Sequence, residues 1–298
     1  MITRFQNPHV SDLAWAISSP PLLLPDDREC TWYSNDWYRR ASVESAELMR
    51  QADSHPERLE AMLAERSDHR LGNYFETLWA YWFSVNPRFE LLGRNVQISE
   101  QGRTLGELDF IVLDRAVDKC LHWEVAVKFY LGRGDTRLQR NWLGPGKEDR
   151  LDIKVDHLLN RQLKQRSHPR VREWCERRGI RIDACAAILK GRLFYPPVHD
   201  GPGVFPRDAN PRHLRGRWFT LAQFRRWYPP PQLFAPLVHR GWMAIPAPDR
   251  QRVYRVDTLV EMLESGELRL PLQVCVQNGA ASGERLFIVD QEWDDEEA

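Results

Sequence analysis

Two short apolar segments, each with an acidic residue inside it, most constrain how this chain can fold. One spans residues 106–113 and contains Asp109, and the other spans residues 122–130 and contains Glu124. Apolar runs of this length are typical of buried strands. Because a lone carboxylate is costly to bury, two of them on neighbouring strands need a shared compensating charge. A divalent cation would neutralise both acids at once.

Strand geometry predicts that the two acids meet. Residues 114–119 are polar and few, as expected for a hairpin connection, so the two strands are expected to pair with Asp109 beside Glu124. Alternate residues of a strand share a face, which places Lys128 on the face of Glu124. His122 occupies the same face, two residues before Glu124, and can assist there.

The same residues also have purely structural interpretations. Glu124 can form an ion pair with Lys128 or Arg94. Glu76 can be an ordinary carboxylate on a helix surface, and Asp109 can lie at a turn-facing edge. Lys128 is equally consistent with a structural and a catalytic role. The pattern alone therefore leaves a cation site and a set of ion pairs as alternatives.

The remaining apolar pattern predicts the order helix, strand, strand, strand, helix, strand. An amphipathic helix is predicted over residues 68–85, and a strand over residues 89–98 precedes the two acid-bearing strands. A second helix is predicted over residues 149–165, followed by a buried strand over residues 182–189. We therefore expect an α/β protein with a mixed sheet.

This order, with an acid in the first helix, a Gly-Glu-Leu-Asp motif ending at Asp109 and a Glu-x-x-x-Lys strand beginning at Glu124, resembles the PD-(D/E)XK nuclease-like superfamily. The whole chain resembles domain-of-unknown-function family 1853, which is assigned to that superfamily. The resemblance implies a restriction-endonuclease-like αβββαβ core over residues 68–192. A mostly helical extension over residues 1–67 would precede the core, and an extension over residues 193–298 would pack on it.

The resemblance also implies the residues of a metal site. Glu76 corresponds to the acid of the first helix, Asp109 to the aspartate of the signature, and Glu124 to its second acid. Together these three would bind Mg²⁺ or Mn²⁺ and take part in catalysis. Magnesium suits such a site because it uses one or two carboxylates and completes its shell with water and substrate phosphate oxygens.

The catalytic lysine is where the chain departs from the superfamily. The lysine normally lies two residues after the second acid, where this chain has Ala126. Lys128 lies two residues further on, roughly 13 Å from that acid along an extended strand. Either Lys128 reaches back to activate the nucleophile, or another lysine such as Lys154 replaces it, or catalysis is lost. In the helix that follows, Lys154, His157 or Gln162 would face the site.

Charge is unevenly distributed although the formal net charge is zero. Residues 128–192 contain 17 Lys and Arg against 8 Asp and Glu. Such a segment favours an anionic partner, with a solvated surface as the alternative. Residues 215–219 and 224–228 interleave arginine with aromatic residues, which can stack on bases or form part of a core.

The predicted function is a metal-dependent nuclease that hydrolyses phosphodiesters of DNA or RNA. The first alternative is a catalytically inactive nuclease-like fold that binds nucleic acid or protein. The second is an interaction protein whose proline- and tryptophan-rich C-terminal part contacts a partner.

Other classes of protein are disfavoured. No segment approaches the roughly 20 apolar residues that a membrane-spanning helix needs. The N-terminal residues 1–25 lack the pattern of a signal peptide. The five cysteines are scattered without a Cys-x-x-Cys pair, so neither a zinc ribbon nor a disulfide framework is expected. We expect a cytoplasmic protein with free thiols.

Overall fold

The structure, a computed structural model, describes residues 5–27, 29–65, 70–197, 204–245, 251–279 and 282–294. The α-helices in these ranges are α1 (Pro8–Ser18), α2 (Asn35–Glu44), α3 (Ala46–Ser54), α4 (Glu57–Ala64), α5 (Leu71–Val85), α6 (Leu151–His157), α7 (Pro169–Glu176), α8 (Leu221–Trp227) and α9 (Val256–Glu264). The strands are β1 (Thr31–Trp32), β2 (Phe89–Glu100), β3 (Arg103–Asp114), β4 (Lys119–Gly132), β5 (Trp142–Leu143), β6 (Ala184–Tyr195), β7 (Leu214–Thr220), β8 (Leu233–Leu237), β9 (Tyr254–Arg255), β10 (Leu272–Val276) and β11 (Arg285–Val289).

The chain divides into two compact units. Unit 1 comprises residues 1–127, 153–190 and 208–212, and unit 2 comprises residues 128–152, 191–207 and 213–298. The units are interleaved along the chain because the long strands β4 and β6 each contribute residues to both. The sequence-based ranges 68–192 and 193–298, by contrast, are contiguous segments.

Unit 1 contains the predicted order of elements. Helix α5 is followed by β2, β3 and β4, then by helical structure over residues 151–176, and then by β6. Strand β3 pairs antiparallel with β2 on one side and with β4 on the other, whereas β1 pairs parallel with β6. The prediction of a mixed α/β protein is therefore confirmed. The predicted first residue of the α5 helix, Asp68, lies outside the described residues, and α5 begins at Leu71.

The core of unit 1 is an aromatic cluster between α5 and the strands. Trp123 on β4 is 0 % exposed and stacks on Tyr33 with ring centroids 5.0 Å apart. Its ring also meets Phe83 edge-on at 5.2 Å and Trp79 at 6.3 Å. Because successive strand residues point to opposite faces, packing of Trp123 in this cluster directs Glu124 to the other face of β4.

The register of β3 and β4 sets the positions of the two acids. Phe110 lies opposite Trp123, and Ile111 lies opposite His122. Continuing this antiparallel register by one residue places Asp109 opposite Glu124, as the hairpin prediction requires.

Unit 2 contains the arginine- and aromatic-rich stretches, and several of their aromatic side chains lie in its core. Helix α8 begins with a capping box in which the Thr220 hydroxyl accepts from the backbone N–H of Gln223. Trp218, Phe219 and Phe224 are all buried, which favours a packing role for these aromatics over base stacking. In the part of the chain that the structure describes, no helix is both long and apolar enough to cross a membrane.

Candidate active site

The structure brings Asp109 and Glu124 together on neighbouring strands of unit 1. The Asp109 carboxylate accepts a 2.9 Å hydrogen bond from the backbone N–H of Val125. In return, Oε1 of Glu124 accepts from the backbone N–H of Asp109 at 3.5 Å. Each acid is thus fixed by the main chain of the opposite strand. Glu124 is 0 % exposed and Asp109 is half-buried, so Asp109 is the more accessible of the two.

Both oxygens of Glu124 also have side-chain partners. Its Oε1 lies 2.7 Å from Nε2 of His122, which is itself 0 % exposed. Its Oε2 accepts a 2.6 Å hydrogen bond from the amide of Gln162. These contacts leave Glu124 little rotational freedom, so its carboxyl group is held in one orientation. The other ring nitrogen of His122 is buried and has no hydrogen-bond partner among the described residues.

Burial strongly shifts the pKa values of this group. Desolvation raises the pKa of Glu124 to about 8, and desolvation followed by the charge of Glu124 raises the pKa of Asp109 well above its usual value. Hydrogen bonding between the two carboxyl groups raises the pKa of Asp109 further and partly offsets the rise in the pKa of Glu124. Burial also lowers the pKa of His122 to about 4, which keeps its ring neutral. Burial therefore favours neutralisation of the two acids, either by bound protons or by a bound cation.

A π-helical turn brings the second helix to Glu124. Residues after α6 form this turn over Leu158–Gln162, and a 3₁₀ turn follows over Leu163–Ser167. Gln162 at the end of the π turn contacts Glu124 directly. Lys154 donates to Oε1 of Gln162 at 2.9 Å, and Nδ1 of His157 lies 3.1 Å from the same oxygen. Single π turns of this kind are often found at functional sites.

Glu76 and Lys154 act on Glu124 through their charges. Lys154 lowers the pKa of Glu124 and Glu76 raises it, both by smaller amounts than burial does. Glu76 lies in the first half of α5 and is half-buried. The structure therefore places Glu76 and Lys154 within electrostatic range of the paired acids.

Lys128 has a different partner from those considered in the sequence. It belongs to unit 2, where its Nζ donates to Oδ2 of Asp149 at 2.5 Å. The hydroxyl of Tyr130 donates to the other oxygen of Asp149 at 3.4 Å. Arg94, the other proposed partner of Glu124, donates to the hydroxyl of Thr77 at 2.8 Å. An ion pair between Lys128 and Asp149 had no sequence signal, because a loop of irregular structure separates them.

The donor atoms fit a small hard cation. Asp109 and Glu124 offer carboxyl oxygens, the ligand type that magnesium and manganese prefer. Among the described residues, no group of three or more His, Cys, Asp and Glu side chains is arranged to hold a metal ion. A cation at this place would therefore complete its shell with water or substrate oxygens, as magnesium commonly does.

Of the comparisons with known proteins, the comparison with protein families gives a match. Comparisons with curated proteins and with solved structures give no match. A family profile described as a domain of unknown function, DUF1853, matches residues 11–289. This match covers nearly the whole chain, including every residue of the candidate site. The protein therefore belongs to the DUF1853 family.

Proposed function

We propose that this protein is a metal-dependent nuclease of the PD-(D/E)XK type that hydrolyses phosphodiester bonds of DNA or RNA. The observation that carries the proposal is the mutual approach of the half-buried Asp109 and the fully buried Glu124, whose pKa values are both raised. Strongly perturbed carboxyl groups at one point are more common at catalytic sites than in structural ion pairs. A cation would neutralise the two neighbouring carboxylates. Beside the half-buried Asp109, such a cation would be accessible to a phosphate group of the substrate.

Each residue of the site has a distinct task in this proposal. Asp109 and Glu124 would hold Mg²⁺ or Mn²⁺, with Glu76 near enough to add negative charge. When bound, the ion supplies Lewis-acid stabilisation and a more acidic water. His122 and Gln162 fix the carboxyl group of Glu124, which keeps the ligand geometry constant through the reaction.

The charge of the chain supports a nucleic-acid substrate. Arg161, Lys164 and Arg172 are exposed and lie within ten residues of Gln162 in the sequence. Cations on this segment can neutralise successive backbone phosphates, so affinity for nucleic acid is expected to fall steeply with rising salt.

The test is a cleavage assay on a mixed panel of single- and double-stranded DNA and RNA. We expect cleavage with Mg²⁺ or Mn²⁺, none after chelation, and a loss of at least about 100-fold in Asp109→Asn. Asp118→Asn is the matched control: this exposed acid lies in the β3–β4 turn and should leave cleavage unchanged. Cleavage by Asp109→Asn at the unsubstituted rate would refute the proposal.

We expect Lys154, rather than Lys128, to provide the missing lysine. Lys154 is hydrogen-bonded to the residue that touches Glu124, whereas Lys128 is paired with Asp149. Lys154→Met should lower kcat by about 100-fold or more, the usual loss when a proton-transfer group is removed. Lys128→Met should lower kcat by less than about fivefold, because its ion pair is half exposed. The opposite ranking of the two variants would show that Lys128 reaches the site.

A second candidate function is a nuclease-like module that binds nucleic acid without cutting it. It is favoured by Ala126 at the usual lysine position and by the full hydrogen bonding of both Glu124 oxygens. Such a module would bind nucleic acid with the same affinity in the presence and absence of metal, and Asp109→Asn would not alter that affinity. Salt-dependent binding without cleavage in any metal would favour this candidate.

A further inference from the structure

Two cysteines lie side by side in unit 1, on the parallel pair formed by β1 and β6. Thr31 is in register with Ala186, so the preceding residues, Cys30 and Cys185, are neighbours across the strands. Adjacent strands are about 4.8 Å apart, within the roughly 4.4–6.8 Å between Cα atoms that a disulfide requires. Both cysteines belong to one buried apolar cluster, and each thiol shifts the pKa of the other.

The two sulfurs have unequal electrostatic environments. The hydrogen bond from Cys30 and then the positive charge of Arg166 lower the pKa of Cys185. Arg166 also donates a hydrogen bond to Sγ of Cys185, and the Cys185 thiol donates one to the Glu29 carbonyl at 3.4 Å. The pKa of Cys30 is raised, chiefly by its hydrogen bond to Cys185. Cys185 is therefore the more readily ionised thiol of the pair.

We propose that Cys30 and Cys185 form a reversible disulfide on exposure to hydrogen peroxide. The Cys185 thiolate attacks one peroxide oxygen, so that an S–O bond forms, the O–O bond breaks and hydroxide leaves to become water. Cys30 then attacks the sulfur of the Cys185 sulfenic acid. The S–S bond forms as the S–O bond breaks, and a second water leaves with the Cys30 proton. Two thiols are oxidised by two electrons, and one peroxide is reduced to two waters.

Oxidation of this buried pair requires local opening at β1, the shortest of the described strands in unit 1. Cys30 is 7 % exposed and Cys185 is 0 % exposed. Strand β1, which follows Cys30 directly, has two residues and pairs only with β6 among the described strands. A strand this short opens locally at low free-energy cost, so a molecule the size of peroxide is admitted more readily than a bulky oxidant.

A second cysteine pair provides an internal control. Cys120 and Cys175 lie in one apolar cluster of unit 1, and the pKa of each is raised, chiefly by burial. Among the described contacts, Arg166 donates to Cys185, and no comparable hydrogen bond from a guanidinium reaches Cys120 or Cys175. If proximity alone decided the outcome, both pairs would form disulfides. The proposal predicts a disulfide between Cys30 and Cys185 and none between Cys120 and Cys175.

The experiment is peroxide treatment of the full chain, followed by thiol counting and non-reducing peptide mapping. Two of the five thiols should be lost, in a single disulfide that joins the Cys30 and Cys185 peptides and is reversed by dithiothreitol. Cys30→Ser and Cys185→Ser should each abolish that disulfide, whereas Cys120→Ser should not. A Cys120–Cys175 disulfide, stepwise oxidation of all five thiols, or no reaction would each overturn the proposal. Mapping of the unsubstituted chain decides the question even if a variant fails to fold.

The role of Arg166 is tested by the rate of the same reaction. Arg166→Gln should slow disulfide formation several-fold at neutral pH, because loss of the guanidinium raises the pKa of Cys185 and so lowers its thiolate fraction. Arg166→Lys should restore most of the rate, because it retains the positive charge. The difference in rate between Arg166→Gln and the unsubstituted protein should narrow at high pH, where the Cys185 thiol ionises without a neighbouring positive charge. A rate unaffected by Arg166→Gln at neutral pH would remove Arg166 from the proposal and with it the selectivity for this pair.

Discussion

At about pH 8 and without added metal, Glu124→Gln is expected to be more stable than the unsubstituted protein, and in the presence of Mg²⁺ or Mn²⁺ it is expected to have lost cleavage activity. The stability gain should be on the order of 1–3 kcal/mol. Each unit of pKa shift corresponds to about 1.4 kcal/mol, and hydrogen bonds between Glu124 and Asp109 offset part of the cost of burying the charge. The neutral amide removes a charge that burial penalises, because the pKa of Glu124 is raised to about 8. With Mg²⁺ or Mn²⁺ present, the expected loss of cleavage is at least about 100-fold, because the proposed metal ligand is removed.

The pH dependence follows from the signs of two shifts. The raised pKa of Glu124 makes the folded chain bind more protons than the unfolded chain, so stability falls as pH rises from about 4.5 to about 8. The lowered pKa of His122 acts oppositely, and stability rises between about pH 4 and pH 6.5. The two effects oppose each other below about pH 6.5. Between about pH 6.5 and pH 8 the loss of stability is no longer opposed by His122.

Urea unfolding at a series of pH values, in the presence of a chelator, measures this effect. The free energy of unfolding of the unsubstituted protein should decline across the upper window, and that of Glu124→Gln should decline less. Glu176→Gln, which alters an exposed acid on α7, should follow the unsubstituted protein. Added Mg²⁺ should flatten the decline only where Glu124 is present, because the ion competes with the proton. Parallel curves for the unsubstituted protein and Glu124→Gln would show that Glu124 is not buried as an acid.

Trp123→Ala is expected to cost about 3–5 kcal/mol of stability, a large part of the total for a protein of this kind. The ring is 0 % exposed and lies among Tyr33, Phe83 and Trp79. Its removal leaves a cavity that the rigid neighbouring rings fill poorly. Trp123→Phe should lose less, because most of the aromatic packing is retained.

The midpoint and slope of urea unfolding give the size of this loss. Trp227→Ala is the matched control, since that ring is 50 % exposed and should cost less than about 1 kcal/mol. Trp123 precedes Glu124 directly, so Trp123→Ala should also lower activity by displacing the acid. Equal losses for the two tryptophans would contradict the packing described for unit 1.

The positions of the paired acids were predictable, and the reason is local. Alternation along a strand fixed the faces of Asp109 and Glu124, and the few polar residues between their strands fixed the pairing. The predicted order from α5 to β6 rests on similar short-range patterns. The resemblance to a nuclease superfamily pointed to Gln162, whose amide does contact Glu124.

Long-range partners were not predictable by the same means. Asp149 lies 21 residues after Lys128, in a loop whose path depends on tertiary packing. The interleaving of units 1 and 2 depends on how far β4 and β6 extend, and apolar runs mark strand ends poorly. The π turn was also missed, because helical periodicity over residues 149–165 looks much the same with one additional residue in a turn.

That π turn restricts how the length of the chain can vary among relatives. Each residue of a helix is rotated about 100° from the previous one, so deleting one position between Lys154 and Gln162 would swing the amide roughly a quarter-turn around the axis. The lysine would stay in place while the amide left the carboxyl group of Glu124. Exposed side chains between Lys154 and Gln162 can therefore vary among relatives, whereas insertions and deletions there are expected to be rare.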